Sequence, residues 1–286
     1  MQQQSERPVR HPWNVDFRWR IPPGPYRALS AEQARRFDEQ GYVVLEDVFD
    51  PQTIAEVTAE LDAYERETEE VLRRQPDGRM RIAESGAITF SIQLLRRSMR
   101  LRRFATSPIL LDLCHDLIGP DVNMYWDQAV YKKPEKPRRF PWHQDNGYNY
   151  IEPQSYLTCW VALVDATVEN GCPQVAPGVH RMGTLQHHYV EPLGWECFSH
   201  FDGAVAAPVR AGGIVVFSSL TPHLTGPNLT NDVRKAYILQ YAPAGAKRQI
   251  GDAAAGPPTA EAPVDDPEHQ FPVLRNGEPV PPPLLA

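Results

Sequence analysis

Gly212-Gly213-Ile214-Val215-Val216-Phe217-Ser218-Ser219-Leu220-Thr221-Pro222-His223 is the stretch on which the fold turns. A glycine pair launches a run apolar enough to be a buried strand, and the residues after it carry His223 to a rim. If the strand continues, Thr225 shares the face of His223. Gly226-Pro227-Asn228 then turns the chain, and Arg234 opens the next strand, eleven residues after His223. A hairpin of this form returns Arg234 alongside His223.

Outward from that stretch, residues 121 to 242 read as short β-type runs broken by Pro, Gly and Asn: 122 to 132, 138 to 144, 157 to 164, 173 to 176, 204 to 209, 213 to 218 and 234 to 242. Helical patterns come before them. Ser30 with Gln33 forms a capping box, and Gly41-Tyr42-Val43-Val44-Leu45 follows as a buried strand. Asp50-Pro51 caps a helix to about residue 74, with Ile54, Val57, Leu61 and Tyr64 at helical spacing. Ser107 caps another from Pro108 to Leu117, and Gly119 stops it. Helices first and many short strands afterwards predict a mainly β fold with helical buttresses, a cupin-like double-stranded β-helix or jelly roll. One domain is expected over residues 29 to 250. An irregular arm, 1 to 28, precedes it, and a Pro-rich tail, 251 to 286, follows. That tail holds 9 of the 29 prolines and should be extended, whether wrapping the domain, mobile or covering a site.

Composition narrows the function. A chain of 286 residues with 42% hydrophobic content can bury a sizeable core. A net charge of -7 argues against a nucleic-acid surface, which needs clustered excess Lys and Arg. The crowded Arg96, Arg97, Arg100, Arg102 and Arg103 read first as a solvated face, and second as a patch for an acidic ligand. Cys114, Cys159, Cys172 and Cys197 form no CxxC pair, so buried free thiols in a reducing cytoplasm are expected. No run of about eighteen apolar residues offers a membrane span. The reading is a soluble, unexported, cytoplasmic protein, for which the Asn228-Leu229-Thr230 sequon means nothing.

Chemistry enters with His143-Gln144-Asp145. On a strand, residues two apart point to one face, so the imidazole and carboxylate can grip one metal. An HxD pair arises by chance in roughly every second such chain, and His200-Phe201-Asp202 is another. What discriminates is the distant His223, because a two-His-one-carboxylate face leaves positions open for a co-substrate and O2. Arg234 suits 2-oxoglutarate, whose keto acid end chelates iron while its far carboxylate needs a planar, two-pronged partner. A rival takes His200 as the distal ligand with Arg210 ten residues on, but no apolar strand delivers His200. His143 and His223 as merely hydrogen-bonded histidines form a second rival. A zinc hydrolase is disfavoured because no HExxH is present. A jelly roll that binds metal without oxygenase activity, as sensor or scaffold, is the remaining alternative.

Over residues 34 to 245 the chain resembles the phytanoyl-CoA dioxygenase family of iron(II)/2-oxoglutarate oxygenases. The likeness is sharpest in Trp142-His143-Gln144-Asp145, in 159 to 167, in Asn170-Gly171-Cys172-Pro173 through His180-Arg181, and in Pro222-His223 through Arg234. The resemblance implies Fe(II), 2-oxoglutarate and O2 as cofactors, with His143, Asp145 and His223 on the metal and Arg234 on the co-substrate. It also implies a hydroxyl contact from Thr225, an aromatic wall from Trp160 and a polar contact from Gln128. Retention of Asp145 implies hydroxylation, since halogenating relatives carry a small residue there. Val179 departs from the serine more usual in the family. His180 and the pair His187-His188 are expected to be structural or surface loop residues. Gln93, Tyr148, Asn149 and Tyr150 are candidates to face a small-molecule substrate, and Trp195 and Phe198 to form a lid.

Overall fold

The apolar runs at 157 to 162, 214 to 218 and 234 to 243 become neighbouring strands of one large antiparallel sheet. The structure is a computed structural model and describes residues 7–134 and 140–285. Across the sheet the order is Tyr42–Leu45, Ile214–Ser218, Leu157–Ala162, Arg234–Pro243, Val122–Lys132 and Ile88–Ile92, with short strands beyond. These strands lack a polar side because the sheet is covered on both faces. Alternate residues sort into two cores: Cys159, Val161, Ile214, Val216, Tyr237 and Leu239 into one, Trp160, Ala162, Val215, Phe217, Ala236 and Ile238 into the other.

The first core lies under the helices. Ala31–Gln40 (α1), Pro51–Arg73 (α2), Met99–Ala105 (α3) and Pro108–Leu117 (α4) supply Phe37, Ile54, Val57, Leu61, Leu101, Phe104, Leu110 and Leu113 to it. Each such fully buried side chain contributes about 1.5–3 kcal/mol. Two of the three expected caps form, with Ser30 and Gln33 in a reciprocal box and Asp50 accepting from the Thr53 N–H at 2.9 Å, whereas Ser107 precedes α4 without a side-chain cap bond. The second core faces a smaller sheet, Val205–Ala206, Pro173–Val175 and His223–Thr225. Two sheets with the smaller across the mouth of the larger make the jelly roll that the strand pattern predicts.

Four expectations need correction. No hairpin joins His223 to Arg234, because His223–Thr225 pairs with Pro173–Val175 in the smaller sheet while Arg234–Pro243 pairs with Val122–Lys132 and Leu157–Ala162 in the main one. Residues 138 and 139 of the run 138 to 144 lie outside the described residues. Beyond them, Trp142 and His143 make only isolated bridges, and Asp145 begins a 3-10 turn, Asp145–Gly147. The backbone of His143 is held by His223, after which Asn146 bends the chain by accepting the Ile151 N–H at 2.9 Å. The run 204 to 209 shortens to two residues, because Pro208 has no N–H to give a ladder. The arginine run is only in part the solvated face expected: Arg97, Arg100 and Arg103 are exposed, but Arg96 and Arg102 turn inward. Part of it forms α3, where Arg102 is 3% exposed and donates to the carbonyls of Leu95, Glu268, Pro283 and Leu284 at 2.6–3.0 Å. Arg96 pairs with Asp266 at 2.6 Å. Together they clamp the tail, whose Pro272–Arg275 extends the main sheet beside the 122–132 strand. The arm is tied down too, through Trp13 Nε1 to the Gly256 carbonyl at 2.6 Å. Among the described residues no helix is long and apolar enough to cross a membrane.

Candidate active site

His143 and His223 lie side by side because their backbones exchange hydrogen bonds, 3.1 and 2.9 Å, as an antiparallel bridge. The ring centroids are 4.3 Å apart. Asp145 reaches the same point from its 3-10 turn, and its Oδ1 is 3.8 Å from His223 Nε2. One donor atom from each of the three lies within 4.8 Å of the others, so they could share one ion. Each imidazole already commits Nδ1: His143 to the Pro141 carbonyl at 3.1 Å and His223 to the Thr221 carbonyl at 3.0 Å. A carbonyl only accepts, so Nδ1 carries the proton and Nε2 keeps its lone pair for a metal. Burial, and then the neighbouring His223, hold the His143 imidazole well below its ordinary 6.5, which keeps it neutral.

The turn bearing Asp145 is fixed by neighbours that sequence reasoning missed. Thr158 Oγ1 donates to Asp145 Oδ2 at 2.6 Å and leaves Oδ1 toward His223. Gln144, fully buried, donates to the Gly183 and Leu220 carbonyls at 3.0 and 2.5 Å and accepts the Leu185 N–H at 2.6 Å. Its own N–H donates to His187 Nε2 at 3.0 Å. His187 is therefore no surface residue. Its Nδ1 is bound to the Leu185 carbonyl at 2.9 Å, and burial lowers its pKa to about 4. The ring fits because residue 147 is glycine, where a Cβ would collide with it. His188 is exposed, as expected of a loop residue. His180 packs against α1, donating to the Asp38 carbonyl at 3.1 Å and meeting Trp19 edge-on.

Arg234 begins its strand fully buried on the inner face, its guanidinium carbon 5.2 Å from the centre of the Trp160 ring. Its cross-strand partner is Lys132, also fully buried, whose Nζ donates to the carbonyls of Thr225 and Gly226 at 3.1 and 2.5 Å. Lys132 thereby joins Arg234 and Thr225 into one corner of the pocket. Asn228 holds the intervening turn through the Lys132 and Asp232 carbonyls at 2.8 and 2.6 Å. Gln128 lies on the same strand and face as Lys132, opposite Ile238. Gln93 follows Ile92, the cross-strand partner of Gln128, in left-handed backbone at φ 54, with its amide 3.5 Å from His269 Nε2.

The remaining candidates divide. Tyr148 sets its ring edge-on to His143, centroids 5.3 Å apart, and Asn149 beside it is exposed. Tyr150 instead packs with the arm, against His11 at 4.6 Å and Trp13 at 5.4 Å. Phe198 is 1% exposed and packs against Trp142 with ring centroids 5.6 Å apart, which leaves Trp195 as the outward residue of that loop. His200 is on the surface, paired with Asp202 at 2.8 Å, and Arg210 binds Asp47 at 2.7 Å. Neither rival residue enters the pocket.

Comparison with known proteins bears on this geometry. The sequence profile of the family described as Phytanoyl-CoA dioxygenase (PhyH) matches residues 37–236. The peroxisomal phytanoyl-CoA dioxygenase of Homo sapiens is 25% identical over 240 residues, covering 76% of this chain and 69% of the relative. An ectoine dioxygenase of Sphingopyxis alaskensis is 27% identical over 241 residues, covering 74% and 76%. Among solved structures, EvdO2 from Micromonospora carbonacea var. aurantiaca complexed with 2-oxoglutarate superposes with a TM-score of 0.59 at 27% identity, covering 79% of this chain and 95% of that one. The epimerase SnoN in complex with Fe3+, alpha ketoglutarate and nogalamycin RO gives 0.62 at 25% identity, covering 82% and 95%.

Proposed function

Because the chain belongs to the phytanoyl-CoA dioxygenase family and is an iron(II)/2-oxoglutarate-dependent oxygenase, we propose that His143, Asp145 and His223 hold its iron and that Arg234 anchors the co-substrate. The observation that carries this assignment is the meeting of three donor atoms within 4.8 Å. The donor set fits: two imidazoles whose Nδ1 atoms are committed to carbonyls, leaving Nε2, and one carboxylate oxygen make the facial arrangement of such oxygenases. Bound iron supplies the oxidising chemistry, with 2-oxoglutarate decarboxylated to succinate as dioxygen is consumed.

The chain's own residues do the rest. Pro141 and Thr221 carbonyls orient the imidazoles, and Thr158 orients the carboxylate. Arg234 presents a planar fork to the remote carboxylate of 2-oxoglutarate, with Trp160 as its wall, Thr225 as a hydroxyl donor and Lys132 as a second cation. Gln128 faces the co-substrate from the neighbouring strand. Gln93 and Tyr148 border the space left for the substrate, a small molecule and not a nucleic acid. Hydroxylation is the outcome that Asp145 favours, since its carboxylate occupies the position another anion would need. Four free cysteines, three of them buried, suit a reducing cytoplasm.

Succinate release that requires both added iron(II) and 2-oxoglutarate tests the reading. Product gaining one oxygen atom supports hydroxylation. Metal binding without succinate would favour a sensor or scaffold.

A further inference from the structure

The N-terminal arm and the Pro-rich tail meet over a cavity of about 470 Å³ that shares no residue with the proposed iron ligands or the co-substrate anchor. That volume lies in the range of small-molecule pockets, roughly 300–1,000 Å³. Its floor is one face of the three-stranded sheet formed by Ile151–Glu152, Lys247–Ile250 and Ala260–Pro263. Side chains two apart on a strand, and those directly opposite across strands, share a face. Glu152, Gln249 and Glu261 therefore stand together on the floor. Trp13 of the arm, Tyr150 and tail residues 256 to 258 make the walls. The indole ties two of these walls together by donating to the Gly256 carbonyl at 2.6 Å.

The lining is negative and aromatic. Among the described residues it holds two carboxylates and neither lysine nor arginine. Glu261 is already matched, since Lys247 donates to one of its oxygens at 2.6 Å and Gln249 to the other at 3.1 Å. Lys247 is also the cross-strand partner of Glu152, but its ammonium is turned to Glu261. Glu152 is left half-buried, accepting from the Gln154 amide at 3.1 Å and forming no ion pair among the described residues. Burial pushes its carboxyl above the ordinary value. Tyr150 is 6% exposed, and its buried hydroxyl makes no hydrogen bond of normal geometry. The rings of Tyr150 and Trp13 stand 5.4 Å apart at 78°, so their planes form a corner.

We infer that this cavity is a second ligand site, built for a quaternary ammonium group. One unmatched carboxylate beside two aromatic rings attracts a single positive charge, with the ring quadrupoles adding to the carboxylate. The same charge repels anions. A divalent ion such as calcium takes about six to eight oxygen ligands, and among the described residues the only grouped metal donors are His143, Asp145 and His223. A primary ammonium brings three N–H donors, for which acceptors run short because Glu261 and the Gly256 carbonyl are engaged. Quaternary nitrogen has no N–H to satisfy, and its methyl groups bury against Trp13, Tyr150 and the tail prolines. This inference goes beyond the oxygenase reading and requires no iron.

Calorimetry on the full chain tests it with choline as probe and 3,3-dimethylbutan-1-ol, the uncharged carbon counterpart, as comparison. Choline should bind at one equivalent and about tenfold more tightly than the alcohol. Glu152→Gln removes the charge and keeps the side-chain shape, and should weaken choline about tenfold without changing the alcohol. Trp13→Ala should cost a similar factor, with Trp13→Phe recovering part of it. Circular dichroism checks each fold, and Glu152→Gln decides the matter if Trp13→Ala loosens the arm. Choline affinity should be equal in metal-free protein and in protein loaded with Ni(II) and 2-oxoglutarate, because the two sites are separate. No choline binding, equal binding of the alcohol, unchanged affinity in Glu152→Gln, or loss of choline binding on Ni(II) loading would each overturn the site.

Discussion

Replacing Thr158 by valine deletes one oxygen and keeps the shape of the side chain. Thr158 Oγ1 donates to Asp145 Oδ2 at 2.6 Å and is the only partner shown for that oxygen among the described residues. The residue is 1% exposed, so water does not substitute for it. A hydrogen bond to a charged group contributes about 1.5–3 kcal/mol, and about 1.4 kcal/mol is tenfold in a binding constant. Loss of such an orienting partner should therefore weaken iron(II) binding roughly 10- to 100-fold. Gln240, whose Nε2 donates to the same hydroxyl at 3.3 Å, also loses its acceptor, which acts in the same direction. Anaerobic calorimetry with Fe(II), repeated with Co(II), reads the constant directly, and circular dichroism checks the fold. Iron affinity indistinguishable from wild type in a folded Thr158→Val protein would refute the reasoning, because Asp145 would then need no support to serve the metal.

Arg234→Lys keeps the charge and removes the fork, so the KM for 2-oxoglutarate should rise roughly 10- to 100-fold while iron affinity holds; equal KM values would count against the anchor. Acid should destabilise the fold through His180 and His187, whose pKa values burial lowers from 6.5 to about 4. Both stay neutral in the folded chain while the unfolded chain takes up protons. Their stabilisation is full above pH 6.5 and is lost as the pH falls toward 4, by roughly 3 kcal/mol for the fully buried His180. Urea unfolding at pH 7.5 and 4.5 reads the difference, and equal midpoints would contradict it. Arg102→Met should free the tail, since the guanidinium bonds three tail carbonyls. Limited proteolysis should then cut between residues 266 and 284 in the variant first, and an unchanged digestion pattern would rule out the clamp on the tail.

Much of this was legible in the sequence because apolar runs and caps are local signals. Val122–Lys132 and Pro108–Leu117 fall at their expected bounds, and Asp50-Pro51 sets the start of α2. The pairing of His143-Gln144-Asp145 with a distant His223 was readable from residue types and order, but the hairpin expected to carry the chain on to Arg234 was not, because the two strands join different sheets. Less legible was the turn at Asp145, which forms through contacts from residues 151, 158 and 187 that no local pattern announces. Lys132 had a usable signal: it shares strand parity with Gln128, whereas Lys133 next to it falls on the other side and binds Glu65 and Glu69 at 3.1 and 2.8 Å. The arginines at 96 and 102 carried none, since the tail groups they hold lie more than 160 residues away in a segment without periodicity.

The central claim is that His223 and Asp145 complete one iron site with His143. Anaerobic Fe(II) titration of the 2-oxoglutarate-loaded protein, followed by the visible charge-transfer absorption of the chelated keto acid, tests it most directly. The band should saturate at one equivalent in wild type and be lost in both His223→Ala and Asp145→Ala, each still folded by circular dichroism. An undiminished band in either variant would contradict the assignment.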